Sequence, residues 1–174
     1  MQKISPRLLL TAIAVACFGL LAFAWFLQYG PERQQPCPLC VLQRYVYILI
    51  GLTALVGVWQ QRIGYAIGAA MFAALGAGLA AWHTLKGATM LSCQRDPIGE
   101  FVNSLPTANW FPEYFFANGG CADQYFVFGV LMQVWSLICF VGLFAVGVYA
   151  AWRMRNHAGD PGLTKLGHRT CAKR

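Results

Sequence analysis

Four stretches of the chain carry apolar residues at nearly every position, without the polar face that a soluble amphipathic helix keeps toward water. They run from about Leu8 to Leu27, from Val41 to Trp59, from Ile63 to Trp82 and from about Tyr125 to Trp152. Each reaches the length of about 20 helical residues that a bilayer requires. In lipid every backbone N–H and C=O must be satisfied within its own segment, so these runs are predicted to be helices. The second contains a single charge, Arg44. Gly64 and Gly68, and then Ala69, Ala73, Ala77 and Ala81, recur every fourth residue in the third run. Small residues at that spacing let helices approach closely in lipid.

The segment from about Thr84 to Gln124 has a different pattern. Asp96-Pro97 reads as a helix start, and Ile98, Phe101, Val102 and Leu105 follow at i, i+3, i+4 and i+7 spacing. Trp110, Phe111, Tyr114, Phe115 and Phe116 come next, interrupted by Pro106 and Pro112. Polar residues and prolines rule out a crossing, while the aromatic load suits headgroup level or a partner's docking surface. The predicted fold is therefore an all-α membrane protein, a four-transmembrane-helix bundle with a short interfacial helix in its second outer loop. Residues 1–152 form the membrane domain, with outer loops at about 28–40 and 84–124, and residues 153–174 a basic tail.

Composition removes the soluble alternative. Hydrophobic residues make up 58% of the 174 and charged residues 11%, against about 25% charged in ordinary globular chains. Too little polar surface is available to cover that apolar bulk in water. The net charge of +7 would suit nucleic acid through counterion release, but its distribution does not. The N-terminal segment, the Gln60-Gln61-Arg62 turn and the tail hold nine of the thirteen Lys and Arg residues. Arg33, Arg44, Lys86 and Arg95 fall on the opposite side, with Glu32, Asp96, Glu100, Glu113 and Asp123. The positive-inside rule then places both termini in the cytoplasm and both larger loops outside. Lys3 and Arg7 before an apolar run, with Ala22-Phe23-Ala24 as a cleavage-like triplet, also resemble a signal peptide. The apolar run continues through Leu27, longer than a signal core, so a retained span is expected.

This sorting collects Cys37, Cys40, Cys93 and Cys121 on the outer side, where disulfides persist. Cys17 and Cys139 lie inside spans and Cys171 in the tail. The four outer cysteines could staple loops, form a redox relay or, as four thiolates, close a structural zinc site. The local pattern favours the relay. In Pro36-Cys37-Pro38-Leu39-Cys40, Pro38 suits the first helical position. That makes Cys37 the N-cap and puts Cys40 in the first turn, where the helix dipole stabilises a thiolate. Arg44 follows one turn deeper on the same face. Its bland role is a snorkelling anchor, but an ionisable group inside a span points to function. Cys93 and Cys121 flank the helical loop segment, with Gly119-Gly120 beside Cys121. A loop disulfide that can move offers its sulfur to exchange.

These residues resemble the disulfide bond formation protein B (DsbB) family. The resemblance rests on Pro36-Cys37-Pro38-Leu39-Cys40-Val41-Leu42-Gln43-Arg44-Tyr45, on Cys93, on Gly120-Cys121-Ala122-Asp123 and on Trp135-Ser136-Leu137, within a four-span layout from about 8 to 152. The chain departs from the family at Met132-Gln133-Val134-Trp135, where many members carry Met-Pro-Gln-Trp. Some members also place a histidine in the second loop near the quinone; here His83 lies at the loop's membrane edge and reads as an interfacial polar residue.

The resemblance implies a multi-pass protein of the bacterial inner membrane that reoxidises a periplasmic thioredoxin-fold, DsbA-like oxidase and passes the electrons to ubiquinone or menaquinone from the membrane pool. It implies that Cys93 forms the mixed disulfide with the partner and that Cys121 pairs transiently with Cys37. Cys40 would donate electrons to the quinone and Arg44 would stabilise the quinone site. Such a partner is itself strongly oxidising, at about −120 mV, so a quinone-linked acceptor is a physical need. No metal and no nucleic acid are expected. The rivals are a vitamin K epoxide reductase-like thiol enzyme, a zinc-binding membrane protein and a subunit whose disulfides only hold loops.

Overall fold

The computed structural model describes residues 5–30, 35–86, 97–119 and 126–158. Cys93, Cys121 and Cys171 lie outside the described residues. All four apolar runs are helical: α1 (Pro6–Tyr29), α2 (Pro38–Gln60), α3 (Ile63–Lys86) and α7 (Met132–Ala158). Each is long and apolar enough to cross a membrane. Local chemistry sets their starts. Ser5 caps α1 by accepting from the Leu8 N–H at 3.3 Å, ahead of Pro6 at the first helical position. α2 ends at Gln61, which takes the left-handed conformation (φ 51°) and donates its N–H to the Gly57 carbonyl. That stop lets α3 turn back after two residues.

Between α3 and α7 come three short helices, α4 (Pro97–Ser104), α5 (Pro106–Trp110) and α6 (Pro112–Phe115), each opening on a proline. The helix start expected at Asp96-Pro97 matches α4. Of its expected apolar face, Val102 is fully buried and Ile98 packs against Cys37 and Leu39, while Phe101 is exposed.

The fourth span differs from expectation at its start. Residues 126–131 form a hairpin, β1 (Phe126–Val127) against β2 (Val130–Leu131), and helix begins only at Met132. Phe128 and Gly129 at its tip both have positive φ, 52° and 76°. Helical backbone cannot pass through two such residues. An unbroken apolar run hides this turn because hydropathy does not register φ.

The core lies among α1, α2, α3 and α7, around Leu10, Ile13, Ile50 and Phe140. Small residues decide how closely α3 approaches α7. Ala66, Ala69, Ala73 and Ala80 are buried, and Gly76 leaves the space occupied by the Phe140 ring. Gly147 meets Ala70, where an added Cβ would lie 3.1 Å from that methyl. Of the predicted alanine ridge, Ala69 and Ala73 are buried and Ala77 packs against the core, while Ala81 is only half-buried. Gly64 faces open space instead.

Candidate functional site

The site forms where α2 begins. Cys37 is the N-cap (φ −77°, ψ 160°) and Pro38 the first helical residue. The Cys37 Sγ accepts from the Cys40 backbone N–H at 3.3 Å, so the sulfur does the work an N-cap oxygen usually does. One helical turn brings the Cys40 Sγ to 2.8 Å from the Cys37 Sγ, with Cys37 donating. Both are free thiols here. The Cys37 thiol is held well above its ordinary range, first because its S–H donates to Cys40 and then because it is buried. The Cys37 S–H points at Cys40, so negative charge on the pair is favoured on the Cys40 sulfur, in the first turn of α2.

His83, read from sequence as interfacial, is instead buried, at 1% exposure. Its Nε2 lies 3.7 Å from the Cys37 Sγ and 3.3 Å from the Gln133 amide nitrogen. A signal existed: His83 ends the third span on the side where α2 starts, which is the level of Cys37. Gln133, the residue that departs from the family's Met-Pro-Gln-Trp pattern, is what reaches it from α7.

Arg44 does not snorkel. It is buried, donates to the Gln28 Oε1 at 3.0 Å and to the Tyr114 carbonyl at 2.5 Å, and lies 4.3 Å over the Tyr114 ring. A buried guanidinium persists only where such acceptors and an aromatic face replace water. The Tyr114 hydroxyl in turn donates to the Leu21 carbonyl at 2.9 Å. Burial raises the affinity of that phenol for its proton, against the pull of Arg44, so it remains a donor. Gln28 and Tyr29 both bond to Glu113. The result clamps α6 onto α1 and α2. Sequence reasoning missed Gln28 and Tyr114 because their partner Arg44 is 16 and 70 residues away from them along the chain. The loop aromatics divide accordingly: Tyr114 is buried, whereas Trp110 and Phe111 are exposed.

A second tether joins the loops. The Gly119 N–H donates to the Pro36 carbonyl at 3.1 Å, and its Cα lies so close to the Gln35 carbonyl that no Cβ fits. Gly119 stands two residues before Cys121, and Pro36 immediately precedes Cys37.

Below the dithiol, between α1, α2 and α7, is a cavity of about 290 Å³. Cys37, Cys40 and Arg44 line its outer end, and Gln43, Tyr47 and Ser136 line its deeper wall. The Ser136 hydroxyl donates to the Gln43 Oε1 at 2.7 Å, and the Tyr47 hydroxyl lies 3.3 Å from the Ser136 Oγ. The Gln43 Nε2 is buried with no partner among the described residues. Leaving a buried donor unmet costs about 1–3 kcal/mol.

Comparison with known proteins agrees with this geometry. The family model described as disulfide bond formation protein DsbB matches residues 6–150. The chain belongs to the DsbB family. Among its relatives, disulfide bond formation protein B of Herminiimonas arsenicoxydans is 36% identical over 157 residues, covering 87% of this chain and 99% of that protein. The protein of the same description from Nitrosospira multiformis is 42% identical, covering 82% and 89%. That from Burkholderia pseudomallei is 40% identical, covering 88% and 92%. Four apolar helices in a DsbB-family chain make this a multi-pass membrane protein with a role in disulfide bond formation. Of the two enzyme families weighed from sequence, this is the one the match supports.

Proposed function

We propose that this protein is an inner-membrane thiol:quinone oxidoreductase that reoxidises a periplasmic DsbA-like dithiol oxidase, with both termini in the cytoplasm and the four outer cysteines in the periplasm. The observation that carries the reading is the placement of the Cys37–Cys40 pair. It opens inward onto an apolar cavity with an unmet donor, and outward onto the loop tethered at Gly119.

In the outer stage, a reduced partner's thiolate attacks the Cys93–Cys121 disulfide at Cys93, forming a mixed disulfide and releasing Cys121 as a thiolate. The partner's second thiol resolves that bond and leaves Cys93 reduced. In the inner stage, Cys121 attacks Cys37 of the Cys37–Cys40 disulfide and releases Cys40. Cys93 then attacks Cys121, restoring the loop disulfide and leaving Cys37 and Cys40 with the electron pair. The Gly119–Pro36 tether supports this transfer. It holds the chain two residues before Cys121 against the residue before Cys37.

A bound quinone supplies the terminal acceptor for two electrons and two protons. The cavity fits such a ring, since about 150 Å³ already admits benzene. Cys40 would present its sulfur to such a ring, Gln43 would offer its amide N–H to a carbonyl oxygen, and Arg44 would contribute positive charge at the outer end.

The decisive experiment uses purified protein with quinone and a reduced thioredoxin-fold substrate. The wild type should oxidise it, and Cys40→Ser should abolish turnover. With Cys121 replaced, a mixed disulfide through Cys93 should accumulate and identify the partner. Persistent oxidation by Cys40→Ser would overturn the relay.

A further inference from the structure

The Cys37–Cys40 pair has a third soft donor beside it that the thiol relay does not use. Cys37 Sγ, Cys40 Sγ and His83 Nε2 all lie within 4.8 Å of one another. They come from two helices: His83 from near the end of α3, and the cysteines from the start of α2. We propose that the reduced pair, together with His83, forms a zinc site, and that zinc bound there holds the enzyme in its reduced state. This goes beyond the thiol:quinone reading, and it needs only that both cysteines be thiols at once.

The donor set is right for the ion. Two thiolates and an imidazole are a recurring three-ligand set for tetrahedral zinc, which leaves a fourth position. The separations can be tested against that geometry. Ligand bonds of about 2.3 Å to sulfur and 2.0–2.1 Å to nitrogen, at tetrahedral angles, put sulfur and nitrogen about 3.6 Å apart. The Cys37 Sγ and His83 Nε2 are 3.7 Å apart. Two sulfurs on one zinc stand about 3.8 Å apart, so the thiols, now at 2.8 Å, must separate by a small rotation. Cys37 is an N-cap outside the helix proper and can supply it.

The fourth donor is the departure at residue 133. The Gln133 amide approaches the His83 Nε2 to 3.3 Å. Nitrogen and oxygen ligands on one zinc are about 3.4 Å apart. Turning the terminal amide exchanges its nitrogen for its oxygen, an orientation that hydrogen-bond networks rather than sterics decide. The carbonyl oxygen of Gln133 then completes the tetrahedron. Burial favours the site further: His83 is 1% and Cys37 5% exposed, so little water competes.

Binding transfers no electrons. Zinc displaces the protons of two thiols and leaves both cysteines reduced as coordinated thiolates. A coordinated pair cannot close to a disulfide until the metal leaves, and an oxidised pair offers no thiolates. Metal uptake is therefore confined to the reduced enzyme. This differs from a site built from all four outer cysteines, because Cys93 and Cys121 take no part.

Cobalt(II), with zinc as competitor, provides the test on full-length protein in detergent carrying Cys93→Ser and Cys121→Ser. The reduced protein should take up one cobalt with thiolate charge-transfer absorption and tetrahedral visible bands, and zinc should displace it. Oxidation of the pair beforehand should abolish uptake, as should Cys37→Ser. His83→Ala and the better space-filling His83→Gln should each weaken binding roughly tenfold or more, at least the scale for lost outer ligands of metal sites. Gln133→Leu should weaken it less. Binding unchanged by both His83 variants, binding weakened by His83→Ala alone, or absorption surviving Cys37→Ser would each overturn the proposal. Metal uptake is read without quinone or partner, so its failure leaves the oxidase reading standing, and loss of oxidase activity in metal-free protein would not touch it.

Discussion

The two flanks of α7 are built on opposite plans. Toward α3 the contact is close, made by Gly76 under the Phe140 ring and Gly147 against Ala70. Toward α1 the helices stand apart around a cavity of about 290 Å³, with the Gln43–Ser136–Tyr47 group on its wall. In lipid, apolar residues gain nothing by leaving one apolar medium for another, so close packing by small residues holds the first flank together. The second flank gives up that packing and leaves one buried amide nitrogen, Gln43 Nε2, without a partner among the described residues. One flank holds the bundle together, and the other is available for chemistry.

That contrast can be broken on either side. The largest effect is expected on the closed flank. Gly76→Leu would drive a side chain into the buried Phe140 ring, and overpacking of this kind costs about 3 kcal/mol. Thermal unfolding in detergent should show a clear loss of stability, and an unchanged melting temperature would mean that α3 and α7 are not packed as described. On the open flank, Arg44→Ala should raise the apparent KM for quinone about tenfold, a change of about 1.4 kcal/mol, with a smaller change in KM for the partner. Unchanged quinone dependence would reduce Arg44 to a clamp for α6.

Gln43→Leu sharpens the comparison, because it removes the unmet donor. The quinone KM should rise several-fold, while the melting temperature should fall only modestly, since the unmet Nε2 goes together with the one bond that Oε1 accepts from the Ser136 hydroxyl, a loss of about 1 kcal/mol. A fall in stability without a change in KM would place the amide in a structural role. The smallest effect is expected from Gly119→Ala, whose Cβ would displace the Gln35 carbonyl. Stopped-flow measurement should show slower exchange between the two cysteine pairs at unaltered quinone KM. Exchange at the wild-type rate would remove the tether from the mechanism.

The sequence by itself determined the four helices, because in lipid a long apolar run has no alternative to internal hydrogen bonding. It also placed Cys37 at the N-cap and Cys40 in the first turn, since Pro38 and the short spacing are local signals. The start of α7 was not legible, because the positive φ at Phe128 leaves no trace in hydropathy. What only the tertiary structure decided are the contacts between distant segments. Tyr114 meets Arg44, His83 meets Cys37 and Gln133, and Gly119 meets Pro36. Burial turned His83 from an interfacial residue into a neighbour of the dithiol, and the functional Arg44 expected from sequence proved also to be the centre of a clamp. Spacing along a chain reports which residues share a helical face. Which face meets which depends on how closely small residues let helices approach, and that is settled only when all the helices pack together.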